Sequence, residues 1–226
     1  MNIPLQAILK DLQMVRQDLT DDHIDPVAVN ELLEDALIRG RQAASVIDNL
    51  INFSDSGAGE KQLADVTAVM DHSIELAADV LSVTKGLRFK DVAINQNYAD
   101  ELPQLRCHVP ELQQMFLSLF RYCCHALGKI EDPAHSPAIN IEISEFYDAI
   151  WVRVQHNGRG MSNEEQQLIF EPFFAGSHAA ADVAENDASE RLSFVQFIVQ
   201  DQHQGQVAVT SDVNIGTTFH IQLPIL

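Results

Sequence analysis

The stretch 151–174, WVRVQHNGRGMSNEEQQLIFEPFF, holds the residues best placed to do chemistry. An apolar strand ends at Gln155, and His156-Asn157-Gly158-Arg159-Gly160-Met161 makes a glycine turn. A short polar helix follows, then Ile169-Phe170-Glu171-Pro172-Phe173-Phe174. Glycines two residues apart let the backbone turn sharply and approach what lies opposite. His156 can accept a hydrogen bond through a neutral ring nitrogen, a capacity it loses when protonated. Cys107, Cys123 and Cys124 are odd in number, and adjacent cysteines do not make a Cys-x-x-Cys clamp. They read as buried free thiols, and no metal site is expected.

The glycine turn needs a sheet and helices to hold it. The pattern predicts a helix over 66–83 with Val69, Ile74, Leu76, Ala77, Val80 and Leu81 mostly inward, a strand over 87–98 and a shorter one over 104–108. Pro110 opens the next helix, through 111–127. Strands 138–146 and 149–155, divided by a tight Tyr147-Asp148 turn, carry the glycine turn. A helix over 192–203 and a hairpin of 206–211 with 217–223 around Asn214-Ile215-Gly216 close the chain.

Before this α/β part, residues 1–56 read as two helices. Leu5, Leu9, Leu12 and Leu19 share one face of the first. Asp25 as N-cap and Pro26 at the first helical position start the second. There Val29, Leu33, Ala36, Gly40, Ala43, Ile47 and Leu50 recur in alternating steps of four and three, the period of a coiled-coil-like seam. Two helices leave that seam exposed, so a dimer whose four helices close one core is expected. The expected fold class is therefore α+β: a helical hairpin (1–56) forming a dimeric four-helix bundle, a linker of small and polar residues over 54–60, and an α/β sandwich (60–226).

Composition bounds the partners. The 226 residues are 46% hydrophobic with 8 Pro and 10 Gly, enough for one medium core and a smaller element. Lys and Arg number 14 against 33 Asp and Glu, a net charge of −19. So acidic a surface repels nucleic acid and anionic lipid across a Debye length of roughly 8 Å. No run approaches the ~20 apolar residues of a membrane span, and a cytoplasmic chain is expected.

The strand, glycine turn, short helix and Phe-rich run resemble, in that order, the ATP-binding domain of sensor histidine kinases, the fold shared with gyrase and heat-shock chaperone ATPases. There an Asp-x-Gly-x-Gly turn, whose Asp accepts a hydrogen bond from the adenine amino group, is followed by an F box. This sequence places His156 at the Asp, keeps Gly158 and Gly160, and aligns Phe173 with the F box. The helix Glu111-Leu112-Gln113-Gln114-Met115-Phe116-Leu117-Ser118-Leu119-Phe120-Arg121-Tyr122 resembles the N box. Tyr122 stands where the family's Asn binds magnesium, and a phenol is a weak ligand for that hard cation. Ser118 stands at another Asn position and is too short to compensate. The phosphate-closing glycines are replaced by Asp187-Ala188-Ser189-Glu190-Arg191, with Asp187 and Glu190 near where a triphosphate sits in the family. The hairpin resembles the family's dimerisation and phosphoacceptor domain. Asn2-Ile3-Pro4-Leu5 resembles the tail of the H box, and matching Pro4 puts the phosphoacceptor histidine ahead of Met1; the first histidine here is His23, in the turn. Gly216-Thr217-Thr218-Phe219 and Leu223-Pro224 resemble the family's end.

The resemblance implies two-component signal transduction. The leading expectation is a degenerate member, with no catalytic residue and no cofactor, that acts as a homodimer and binds a response regulator receiver domain or another histidine kinase. Family response regulators dock on the bundle, which makes Gln6, Lys10, Gln13 and Arg16 a candidate partner site. Two alternatives stay open: an active ATP- and magnesium-dependent histidine kinase core with its histidine upstream, and a histidine phosphotransfer protein with a kinase-like body.

Overall fold

A computed structural model describes residues 60–81, 87–171 and 192–225, together with Leu33, which is helical and 37% exposed. The other residues of the predicted hairpin and its seam lie outside the described residues. All described residues but Leu33 fall in one unit, 58–178 with 189–226.

Helix α1, Val66–Val80, starts where Asp65 accepts the Thr67 backbone N–H at 2.8 Å and the Thr67 hydroxyl at 2.7 Å. Those bonds, the hydroxyl's first, hold the Asp65 pKa below its ordinary value. Val69, Met70 and Ala77 are buried along the helix, which ends at Val80 rather than at 83. The predicted strand over 87–98 divides into a 3-10 turn, Phe89–Asp91, and strand β2, Ala93–Tyr98. The break has two causes. The Arg88 guanidinium grips Asp91 with two 3.0 Å bonds, and Phe89 turns inward to pack 5.3 Å from the Phe120 ring.

Strand β1, Gln62–Ala64, pairs antiparallel with β3, Leu105–Cys107, as a separate ribbon. Helix α2, Val109–Gly128, carries Pro110 in its first turn and buries Leu112, Met115, Phe116, Leu119, Phe120, Cys123 and Leu127. Burying a side chain such as Phe116 contributes about 1.5–3 kcal/mol. Strands β4 (Ala138–Glu145), β5 (Ala149–His156), β6 (Gln206–Asp212) and β7 (Gly216–Pro224) complete a five-stranded sheet, ordered β2-β4-β5-β7-β6. Only β2 with β4 is parallel.

Alternation sets the faces. Ile139, Ile141 and Ile143 of β4, Ile150, Val152 and Val154 of β5, and Phe219, Ile221 and Leu223 of β7 point into one core with the helices. The other face is polar: Asn95 donates to Asn140 at 2.8 Å, Arg153 to Glu142 at 2.6 Å, and Thr210 meets the His220 ring at 2.9 Å.

Short helix α3, Asn163–Leu168, is capped reciprocally: the Ser162 hydroxyl accepts the Glu165 N–H and the Glu165 carboxylate accepts the Ser162 N–H. Where one helix is predicted over 192–203, α4 begins as Ser193–Gln196 and continues as a π-helical segment, Phe197–Gln202. The Ile198 carbonyl accepts the His203 N–H at 3.1 Å and lies 2.8 Å from His203 Nδ1, drawing two groups onto one oxygen and widening the turn. Cys107, Cys123 and Cys124 are buried free thiols, as expected. Among the described residues no helix is long and apolar enough to cross a membrane.

Candidate functional site

His156 is the last residue of β5, one residue beyond the predicted strand end, and is completely buried. Its Nδ1 accepts the Gly158 backbone N–H at 3.0 Å. That bond closes the turn on itself and fixes the neutral tautomer, leaving the proton on Nε2. Nε2 is buried and has no hydrogen-bond partner. Burial lowers the His156 pKa to about 4, so the ring stays neutral at physiological pH. The accepting nitrogen is therefore used by the chain's own backbone, and the remaining nitrogen is a donor.

Tyr122 sits on α2 with only 8% exposure. Its ring lies 5.8 Å from that of His156 and stands edge-on to Phe219 of β7, 5.3 Å away at 89°. One turn earlier, the Ser118 hydroxyl donates to the Gln114 carbonyl at 2.9 Å, a bond back into its own helix. The two residues expected at asparagine positions are thus an aromatic packed between helix and sheet and a hydroxyl whose proton is donated to a carbonyl of its own helix.

The two glycines serve contacts within the chain. A Cβ on Gly158 would stand 2.6 Å from the Ala126 carbonyl carbon and the Leu127 nitrogen, and the next residue, Arg159, donates its N–H to the Ala126 carbonyl at 3.0 Å. A Cβ on Gly160 would run into the Asp212 carbonyl, while the Gly160 N–H reaches the Val213 carbonyl at 3.3 Å. The turn is wedged between the last turn of α2 and the β6–β7 connection.

Three further residues anchor it. The Asn157 side chain accepts the Ala138 N–H at 2.8 Å and donates to the Ser136 carbonyl at 2.9 Å. The Ser211 hydroxyl accepts the Met161 N–H at 2.7 Å. Gly216, at φ +129°, passes against the His156 carbonyl. The sequence reading did not single out Asn157 or Ser211 for these roles. An asparagine beside glycine in a turn was the available signal for Asn157, and none pointed to Ser211.

Phe173 and Glu190 lie outside the described residues, as do the candidate partner residues Gln6, Lys10, Gln13 and Arg16. Of the predicted site residues, the fold brings together Tyr122, His156, Gly158 and Gly160, with Ser118 one helical turn away from Tyr122. Among the described residues no group of three or more His, Cys, Asp or Glu could hold a metal ion.

Residues 108–226 match the family described as Histidine kinase-, DNA gyrase B-, and HSP90-like ATPase. The sensor histidine kinase ZraS of Escherichia coli strain K12 is 24% identical over 164 residues, 73% of this chain and 31% of that protein. The sensory histidine kinase/phosphatase NtrB of Rhizobium leguminosarum bv. phaseoli is 24% identical over 231 residues, 98% of this chain and 55% of that protein. The chain spans about a third of the length of the ZraS relatives it matches. Among solved structures, the catalytic domain of histidine kinase ThkA superposes with a TM-score of 0.57 at 18% identity, covering 74% of this chain and 97% of that one. ThkA in complex with the response regulator protein TrrA gives 0.59 at 16% identity, covering 100% of this chain and 58% of that one. The mixed sheet backed by helices, the glycine turn after β5 and the matched residues agree: the chain belongs to the histidine kinase-, DNA gyrase B- and HSP90-like ATPase family.

Proposed function

We propose that this chain is a degenerate histidine-kinase-like component of two-component signalling that works by dimerisation and binding rather than by ATP-dependent phosphorylation. The observation that carries this reading is the bond from the Gly158 N–H to His156 Nδ1. It leaves a buried N–H donor where the family's Asp accepts, and an adenine amino group, itself a donor, finds no acceptor there. Two features support it. The Tyr122 ring packs against Phe219 and carries a phenol, and the Ser118 hydroxyl is turned back to donate to the Gln114 carbonyl of its own helix, so neither presents the amide oxygen that the family resemblance implies for magnesium. In the sequence, Asp187-Ala188-Ser189-Glu190-Arg191 stands in place of the phosphate-binding glycine run, and each of the Asp187 and Glu190 carboxylates within ~4 Å of a triphosphate would cost on the order of 1–4 kcal/mol per charge pair.

In this reading the hairpin 1–56 dimerises along Leu5, Leu9, Leu12, Leu33, Ala36, Gly40, Ala43, Ile47 and Leu50. Its Gln6, Lys10, Gln13 and Arg16 face a receiver domain or a second kinase, in the cytoplasm. The ThkA complex with a response regulator lends support to that partner class.

A thermal shift of the full chain with ATP and magnesium tests the reading. A ligand at a hundredfold excess over its Kd stabilises by about 2.7 kcal/mol, so real binding is easy to see. No shift at millimolar nucleotide is the expected result. A saturable, magnesium-dependent shift overturns the proposal in favour of an active kinase core.

A further inference from the structure

The end of the sheet opposite the glycine turn carries a surface that folding alone does not account for. The eight residues of β5 separate the two ends by about 23 Å at ~3.3 Å per residue. The β4–β5 turn there holds both central residues in the left-handed region, Tyr147 at φ 50° and Asp148 at φ 52°. Hairpin turns of this kind favour Asn-Gly, and a bulky aromatic at positive φ is strained.

That turn also exposes its apolar side chains. Phe146 is 58% exposed, Tyr147 83% and Trp151 37%. The Phe146 and Tyr147 rings meet edge to face at 4.2 Å, and Trp151 Nε1 donates to the Phe146 carbonyl at 3.1 Å. Three aromatics are thus held in place outside the core.

Carboxylates share this end of the sheet. Glu145 and Asp148 are exposed in the turn, and Asp100 and Glu101 reach the same end because the Ala99 N–H donates to the Ile143 carbonyl at 2.8 Å. Among the described residues none of these four carboxylates is in an ion pair. Aromatic faces attract cations, most strongly arginine, and unpaired carboxylates beside them add to that attraction. A second copy of a chain of net charge −19 would set acid against acid, and phosphate-bearing partners would be repelled.

We propose that the Phe146, Tyr147 and Trp151 tip is a docking surface for an arginine-bearing segment of a partner protein, with guanidinium groups over the rings and paired to Glu145 and Asp148. The proposal is independent of the nucleotide reading, because no residue of the tip belongs to that site.

Trp151 is the single tryptophan of the sequence, so its emission reports on this surface alone. The full chain is titrated with a hexapeptide of alternating Leu and Arg, and with its Leu-Glu counterpart. The expected result is a saturable change in Trp151 emission with the arginine peptide, weakened by salt, and none with the glutamate peptide. Tyr147→Gly should weaken binding at least about tenfold while leaving thermal unfolding unchanged or raised, since glycine relieves the strain. Asp148→Asn, which tolerates the same backbone, should weaken it several-fold and reduce the salt dependence. A flat titration, an equal response to both peptides, or unchanged affinity in Tyr147→Gly overturns the proposal. So does a drop in the sedimenting mass of free Tyr147→Gly, which would make the tip a self-association surface.

Discussion

The Tyr122 ring stands at 89° to the Phe219 ring with centroids 5.3 Å apart, and this contact ties α2 to β7, the neighbour of the central strand β5. At this position the helix contributes packing to the core. Tyr122→Asn introduces the residue that the family resemblance implies here, yet removes a nearly buried aromatic and leaves polar atoms in its place. Large-to-small changes of this kind cost about 3–5 kcal/mol. Urea unfolding should show a loss in that range, with no gain of magnesium-dependent nucleotide binding. A variant of unchanged stability would contradict the packing role.

Acid should destabilise this domain, and His156 sets part of the window. Its folded pKa is about 4 against an ordinary 6.5, because burial disfavours the charged ring. Below 6.5 the unfolded chain takes up the proton first. The stability from a neutral buried His156 is therefore complete above pH 6.5 and is lost as pH falls towards 4, a change on the order of 3 kcal/mol. His203 and His220 are lowered too, chiefly by burial, and add in the same direction. In His156→Asn the side-chain oxygen can still accept the Gly158 N–H but nothing titrates. Urea midpoints measured from pH 7 to 4 should fall less steeply in that variant than in the parent.

Much of this architecture was legible in the sequence, for a physical reason. Strands β4, β5 and β7 each bury one face, so Ile139, Ile141 and Ile143 alternate visibly with Asn140 and Glu142. The Tyr147-Asp148 turn was legible from the length of the gap, although Tyr147 is a poor residue for positive φ. The 3-10 turn at Phe89–Asp91 and the π segment at Phe197–Gln202 were not. Both depend on side-chain contacts, Arg88 with Asp91 and His203 with the Ile198 carbonyl, that leave the apolar pattern almost unchanged. In the site, residue identities were readable but the direction of the His156 hydrogen bond was not. It is decided by where the Gly158 N–H points, a property of the folded turn.

The hairpin seam yields a prediction of its own. In the bundle proposed above, the four-and-three spacing of the sequence would put Ala43 mid-seam in the second helix. Ala43→Asp would bury an unpaired carboxylate in that core, and leaving a buried charge unpaired costs about 3–5 kcal/mol. Sedimentation equilibrium should find a dimer for the parent chain and a monomer for the variant. A variant that still sediments as a dimer removes the bundle from the proposal.

Gly158 and Gly160 give the sharpest test of whether the glycine turn is architecture or ligand site. If the glycines mainly made room for a ligand, an added methyl would leave folding intact. The contacts point the other way, since a Cβ at Gly158 meets the Ala126 and Leu127 backbone at 2.6 Å and one at Gly160 meets the Asp212 carbonyl. Backbone atoms cannot swing aside as a side chain does, so α2 or the β6–β7 turn must shift. Either Gly158→Ala or Gly160→Ala should therefore cost more than about 2 kcal/mol, the scale of overpacking inside a core. The bond from the Arg159 N–H to the Ala126 carbonyl should weaken with the first, and that from Gly160 to Val213 with the second. Amide exchange at Arg159 and at residue 160 separates these effects. Faster exchange at the matching amide in each variant, together with lower urea midpoints, is the expected outcome, and parent-like stability in both would assign the glycines to a ligand instead.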